Sequence, residues 1–121
     1  MSLTNLLLAA LGGAFGSALR VIVTVLIPPG VLPWGTIVIN LVGSFLIGWL
    51  MGQLGGVTPD NARWHMLLVA GVCGGFTTFS AFSWQTLDLF QKHQPGAALA
   101  NVLLSVVICF GATWLGWRLT R

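Results

Sequence analysis

The chain has 121 residues, of which 56% are hydrophobic and only 6% are charged. A soluble domain usually carries about 25% charged residues, and five basic and two acidic side chains cannot hydrate the surface of a globule of this size. The composition therefore excludes a soluble domain and indicates a chain that sits in lipid. The net charge of +3 comes from scattered basic residues, so no basic patch is available for nucleic acid.

Four apolar runs are long enough to cross a bilayer as helices, since such a helix needs about 20 apolar residues. They cover residues 3–27, 34–54, 63–90 and 97–119, and short runs of Pro, Gly or polar residues separate them. The alternating strands of a membrane barrel do not occur in this sequence. We therefore predict an all-α integral membrane protein, with a single four-helix transmembrane domain over residues 1–121.

The basic residues give only a weak orientation signal. With four spans, the N-terminus, the middle loop and the C-terminus share one side, which carries Arg63, Arg118 and Arg121. The other side carries Lys92, and also Arg20 if that side chain leans toward it. Because the Lys/Arg bias sets orientation, such a balanced chain is expected to insert both ways. Dual topology would allow an antiparallel homodimer.

Small and polar residues recur at four-residue steps and so form one ridge on a helix. They are Gly12, Gly16 and Arg20 in the first span; Thr36, Asn40, Ser44, Gly48 and Gly52 in the second; and Asn101, Ser105, Cys109 and Thr113 in the fourth. For the glycines, close helix packing in lipid is the preferred interpretation. An amide in lipid needs a hydrogen-bond partner, so Asn40 is a candidate functional residue. Arg20 either reaches toward the interface or attracts an anion.

The third span contains the most unusual segment, Gly-Val-Cys-Gly-Gly-Phe-Thr-Thr-Phe-Ser-Ala-Phe-Ser over residues 71–83. Two glycines followed by two β-branched threonines make a poor helix interior. We therefore predict that the third helix is broken mid-membrane. Carbonyl groups freed at such a break are tolerated only where they face protein, water or an ion, and in transporters they bind small cations such as Na+.

Two phenylalanines follow this predicted break, three residues apart on one helix face. Phe79 and Phe82 either pack in the ordinary way or line a narrow path together with the neighbouring Ser80 and Ser83. The edge of a phenyl ring carries a positive partial charge. Ring edges with hydroxyl and amide donors would then replace part of the hydration shell of an anion.

Acidic residues are nearly absent from the spans. Asp88 is the only carboxylate in any span, and we predict that it pairs with Lys92 four residues later. Proton-coupled exporters and cation channels typically need a carboxylate in mid-membrane. His65 and His93 lie at span ends without a nucleophile beside them, so we predict no enzymatic activity.

Three motifs extend over the chain: Gly-Gly-x-x-Gly-x-x-x-Arg at 12–20, Gly-Thr-x-x-x-Asn-Leu-x-Gly at 35–43, and Gly-x-Cys-Gly-Gly-x-Thr-Thr-Phe-Ser-x-Phe-Ser at 71–83. In this order and spacing, the whole chain resembles the Fluc (CrcB) family of small fluoride channels. The resemblance implies passive F⁻ export that reduces fluoride toxicity, through an antiparallel dual-topology homodimer in the bacterial inner membrane. It also implies a structural, untransported Na+ at the dimer centre.

The resemblance assigns roles to individual residues. The backbone carbonyls of Gly74 and Thr77 are expected to hold the Na+. The expected pore residues are Phe79, Phe82, Asn40, Thr78, Ser80, Ser83 and Ser105, with Arg20 in the vestibule. The chain departs from many relatives at Gln85, where they carry Glu, and from some at Asn101, where they carry Tyr.

From the residues alone, two alternatives stay open beside a fluoride channel. A small multidrug exporter also has four short spans and dual topology, but it needs a membrane-embedded Glu. A non-transporting membrane subunit would use the glycines and aromatic residues for assembly only.

Overall fold

A computed structural model describes all residues from 1 to 121 and contains helices and no strands. Helix α1 covers Leu3–Leu26, and α2 covers Trp34–Leu54. A composite third span covers Ala62–Gln91, and α6 covers Pro95–Arg118. All four are long and apolar enough to cross a membrane. The four predicted spans are confirmed, and their ends agree with the prediction to within about two residues, the usual uncertainty of helix ends.

The third span consists of four segments. It starts with α3 (Ala62–Trp64) and continues as a π-helix over His65–Cys73 and as α4 over Gly74–Phe76. After Thr77 and Thr78, α5 runs over Phe79–Gln91. Nine residues of π-helix are unusual, because π-helices mostly occur as single-turn bulges and often lie at functional sites. The sequence did not predict this segment.

The helix is interrupted at Thr77 and Thr78, both of which have extended backbones with ψ of 156° and 115°. The third span is therefore interrupted at these two residues, whereas the predicted depth of the interruption in the membrane stays a prediction. Gly74 and Gly75 themselves stay helical, because Gly75 packs against α1: a Cβ on Gly75 would lie 2.4 Å from the carbonyl oxygen of Gly13. The β-branched threonines, not the glycines, leave the helix.

Glycines allow close packing in two pairs of spans, α1 with the third span and α2 with α6. On α1, a Cβ on Gly12 would lie 2.2 Å from the carbonyl oxygen of Leu67, and one on Gly16 would lie 2.3 Å from that of Val72. The α2–α6 pair is built in the same way, since a Cβ on Gly48 would lie 2.0 Å from the carbonyl oxygen of Thr113. The interpretation of these glycines as packing seams is confirmed.

The protein has a small interior, as expected for spans that face lipid. Only seven hydrophobic residues are buried, and many large apolar side chains lie on the outside. The predicted ion pair between Lys92 and Asp88 is present at the end of the third span. Cys73 and Cys109 are both free thiols.

Candidate functional site

A groove of about 420 Å³ opens beside the interruption of the third span, between α2, the third span itself and α6. It brings together most of the predicted site residues: Asn40, Gly74, Thr77, Thr78, Phe79, Phe82 and Ser105. Ser80, Ser83 and Arg20 do not line this groove. None of the residues that line it is acidic or basic, so any charge selection here depends on dipoles and hydrogen-bond donors.

Asn40 holds the interrupted backbone in place. Its Nδ2 donates to the carbonyl oxygen of Thr78 at 3.0 Å, and its Oδ1 accepts from the backbone N–H of Thr78 at 2.8 Å. One amide side chain on α2 thus supplies both a donor and an acceptor to a residue that has left the helix. A primary amide has two N–H donors, so one N–H of Asn40 stays available in the groove.

The two sides of the interruption carry opposite partial charges. On the side where α4 ends, the carbonyl oxygens of Gly74 and Thr77 accept no hydrogen bond from the protein. On the other side, the backbone N–H groups of Phe79 and Ser80 at the start of α5 donate none. Free carbonyls attract cations and free N–H groups at a helix start attract anions. One interruption therefore offers two electrostatically distinct faces.

The hydroxyl groups near the groove differ in how firmly their protons are held. The hydroxyl of Thr77 donates to the carbonyl oxygen of Cys73 at 2.8 Å, and that of Ser83 to the carbonyl oxygen of Phe79 at 3.0 Å. The hydroxyls of Thr78 and Ser80 are 3.4 Å apart, and that distance exceeds the usual O–H···O range. Thr78 and Ser80 can therefore turn a proton toward an anion more readily than Thr77 or Ser83.

Phe79 and Phe82 form a pair at the mouth of the groove. Their ring centroids are 5.5 Å apart and the ring planes are inclined at 46°. Phe79 is 78% exposed in the single chain. The two rings are therefore close together, and both residues line the groove.

Arg20 lies on the far side of the interruption, on α1. Its Nη2 is 3.5 Å from the hydroxyl of Ser17, which in turn donates to the carbonyl oxygen of Gly75 at 3.4 Å. Its Nε is buried and has no partner. Arg20 as a whole is only half-buried, and its role toward an anion stays a prediction.

Some residues at this site or beside it were given no functional role from the sequence. Asn101 is completely buried, and its Nδ2 donates to the hydroxyl of Thr86 at 3.0 Å. Cys73 and Cys109 line the groove together with Ser44. The four-residue spacing of Asn101, Ser105 and Cys109 was a usable signal for the α6 side, whereas nothing in the sequence marked Thr86.

The family of the chain follows from its similarity to known proteins. A family model described as "CrcB-like protein, Camphor Resistance (CrcB)" matches residues 7–117. The chain belongs to the CrcB-like family.

Curated relatives of this CrcB-like chain share the name "Fluoride-specific ion channel FluC". The protein of Methylobacterium radiotolerans is 46% identical over 121 residues, covering 96% of this chain and 84% of the relative. That of Rhodospirillum rubrum is 47% identical, covering 91% and 89%, and that of Agrobacterium fabrum is 40% identical, covering 97% and 96%. With four candidate spans, the CrcB-like chain is a multi-pass membrane protein.

Proposed function

We propose that this chain is a fluoride-selective ion channel that lets cytoplasmic F⁻ leave the cell down its electrochemical gradient and so reduces fluoride toxicity. The observation that carries the proposal is the similarity over nearly the whole chain to relatives named fluoride-specific ion channels. Since a channel catalyses no reaction, we expect no enzymatic activity. The family membership also sets aside the exporter and the non-transporting subunit.

The groove offers what a small, strongly hydrated anion requires. F⁻ gives up its water only where close donors replace it, and the groove provides hydroxyl protons, one amide N–H and the start of α5. The inclined ring edges of Phe79 and Phe82 add positive partial charge. The lack of carboxylates in the lining supports anion passage, because a fixed negative charge would repel F⁻.

In this proposal, Phe79, Phe82, Asn40, Thr78 and Ser105 contact the ion along the groove. Ser80 and Ser83 lie exposed on the first turns of α5, where a second copy of the chain would close a path around them. Arg20 acts as a fixed positive charge that raises the local concentration of anions in the vestibule. A passive pathway needs no titrating group between its ends.

We also propose a structural Na+ at the carbonyl face of the interruption. Na+ prefers oxygen ligands, and the carbonyl oxygens of Gly74 and Thr77 are free of protein hydrogen bonds. No group of three or more His, Cys, Asp or Glu residues is placed to hold a metal, and backbone carbonyls are the ligands that we propose. Gly74 is exposed in the single chain. Two carbonyls from each of two antiparallel copies would surround one ion at the dimer centre. The dimer would lie in the plasma membrane of a bacterial cell.

Ion efflux from vesicles tests the function. Purified protein is reconstituted into liposomes loaded with KF or KCl, and valinomycin then provides a path for K⁺. We expect rapid F⁻ release at a fluoride electrode without a proton gradient, and no Cl⁻ release above empty vesicles. Absence of F⁻ release from vesicles that contain folded protein would contradict the proposal, and release that depends on a proton gradient would indicate an exporter.

A further inference from the structure

A buried hydrogen-bond chain connects α6 to the backbone of Phe82. Asn101 on α6 is 0% exposed, and its Nδ2 donates to the hydroxyl oxygen of Thr86 on α5 at 3.0 Å. The hydroxyl of Thr86 in turn donates to the carbonyl oxygen of Phe82 at 2.8 Å. At the other end, the hydroxyl of Ser105 donates to Oδ1 of Asn101 at 3.4 Å.

The two ends of this chain reach the groove and its middle does not. Phe82 and Ser105 line the groove, whereas Asn101 and Thr86 are absent from its lining. The bond between Asn101 and Thr86 is also the only hydrogen bond between α5 and α6. A threonine that bonds to the carbonyl four residues earlier also tends to bend its helix. The helix turn that bears Phe82 is therefore tied to α6 at one point.

We propose that Asn101 and Thr86 are positioning residues for the pore, an inference that rests on the proposed channel function. Together they set the angle of the Phe82 ring against Phe79 through the backbone of α5. Asn101 also accepts the proton of Ser105 in a long, weak hydrogen bond, and an anion in the groove can replace Asn101 as the acceptor. Neither residue contacts the ion. We call the hydrogen bonds from Asn101 through Thr86 to the backbone of Phe82 the tether. Without the tether, the same residues still line the groove, but the angle of the Phe82 ring is less fixed and the discrimination of F⁻ from larger halides is weaker.

Three variants test the tether. Thr86→Val keeps the shape of the side chain and removes the hydroxyl, Asn101→Leu removes the amide, and Thr86→Ser keeps the hydroxyl. We expect Thr86→Val and Asn101→Leu to lower the F⁻ efflux rate about threefold to tenfold, the range that one lost hydrogen bond represents, and to raise Cl⁻ leakage. Because Thr86→Ser keeps the hydroxyl, its F⁻ efflux rate and Cl⁻ leakage should stay near the parent values.

Thr113→Val is the matched control. It removes a threonine hydroxyl of the same kind, one that donates to the carbonyl oxygen of Ser44 at 2.9 Å and ties α6 to α2. A purely structural role of such bonds would lower thermal stability alike in Thr113→Val and Thr86→Val. Only the variants of the tether should change halide selectivity.

The double variant Thr86→Val/Asn101→Leu should be no worse than the more affected single variant, because both changes break one chain. Additive losses, or parent-like selectivity in Thr86→Val, would overturn the inference. If Asn101→Leu does not fold, the comparison of Thr86→Val with Thr86→Ser still decides.

A readout independent of transport separates this inference from the proposed function. With 4-fluorophenylalanine in place of Phe82, the ¹⁹F NMR signal of the ring should shift or broaden in Thr86→Val and Asn101→Leu and stay unchanged in Thr113→Val. An unchanged signal in all variants would overturn the inference even if the channel conducts. Lack of F⁻ efflux from the parent with an altered ring signal in the variants would instead overturn the proposed function alone.

Discussion

At the scale of single residues, two asparagine amides each act as both donor and acceptor to polar groups inside the membrane-spanning helices. Asn40 satisfies the backbone of Thr78 after it leaves the helix, and Asn101 satisfies the side chains of Thr86 and Ser105. An unpaired polar group in hydrocarbon is costly. Both amides are therefore committed mainly to the protein, and only Asn40, which lines the groove, keeps a spare N–H donor there.

We expect Phe79→Ile and Phe82→Ile to reduce F⁻ efflux by tenfold or more, with the protein still folded. Isoleucine fills a similar volume but has no ring edge with positive partial charge, so the groove loses the only dipoles of this kind that line it. Fluoride-electrode efflux and gel filtration measure flux and folding. Phe90→Ile is the control, since Phe90 lies on α5 and is 51% exposed, outside the groove. Full flux in both groove variants would remove the role of the ring edges.

We expect Thr77→Ala to be mild. The hydroxyl of Thr77 donates to the carbonyl oxygen of Cys73 within its own span, and its loss destabilises the protein by about 0.5–1.5 kcal/mol. The backbone carbonyl proposed to bind Na+ is retained. Thermal unfolding in NaCl and in choline chloride should show the same stabilisation by Na+ as in the parent. If Na+ dependence disappears in this variant, the hydroxyl and not the carbonyl is the ligand.

At the scale of helices, the sequence predicted the spans well because lipid imposes their length and apolar composition. It also predicted the interruption in the third span, because glycines and β-branched residues weaken a helix locally. It did not predict that Gly74 and Gly75 stay helical, since that depends on α1 packing against Gly75. The π-helix over His65–Cys73 and the burial of Asn101 also depend on tertiary contacts that composition does not encode.

The candidate site was predictable to a similar degree. The family resemblance implied that Asn40, Phe79 and Phe82 line one pathway, and the groove brings the three residues together. It did not reveal that Ser83 commits its proton to the carbonyl oxygen of Phe79, because local hydroxyl bonding depends on the helix geometry after the interruption. The role of Thr86 was hidden for the same reason.

Gly16→Ala tests the glycine seam between α1 and the third span. A Cβ at Gly16 would lie 2.3 Å from the carbonyl oxygen of Val72 and 2.8 Å from the backbone nitrogen of Phe76, so the helices must separate just before the interruption. We expect a loss of about 1–3 kcal/mol, typical of overpacking, seen as a lower fraction of monodisperse protein after heating in detergent. Gly13→Ala is the control, because its Cβ would meet nothing within 4 Å. Equal stability of the two variants would contradict close packing at Gly16.

At the scale of the whole molecule, the proposed pathway is incomplete in a single chain. The groove is open on one side, and Phe79 at its mouth is 78% exposed. The free carbonyls of Gly74 and Thr77 lie beside the same opening. A second copy that packs here would close the groove and complete the ligands of a cation. Antiparallel packing requires that each copy insert in the opposite direction.

Cysteine labelling tests this dual insertion. In a background with Cys73→Ala and Cys109→Ala, single cysteines are introduced as Gly56→Cys and Gly96→Cys, at exposed positions where a Cβ meets nothing within 4 Å. Gly56 follows two spans and Gly96 follows three, so they lie at opposite ends of the bundle. With dual topology, a membrane-impermeant maleimide added to whole cells should label about half of each variant, because the Lys/Arg balance sets no preferred direction. Lysed cells give the reference for complete labelling. Full labelling of one variant and none of the other would establish a single orientation and contradict the antiparallel dimer, while leaving the fluoride pathway to be judged by efflux alone.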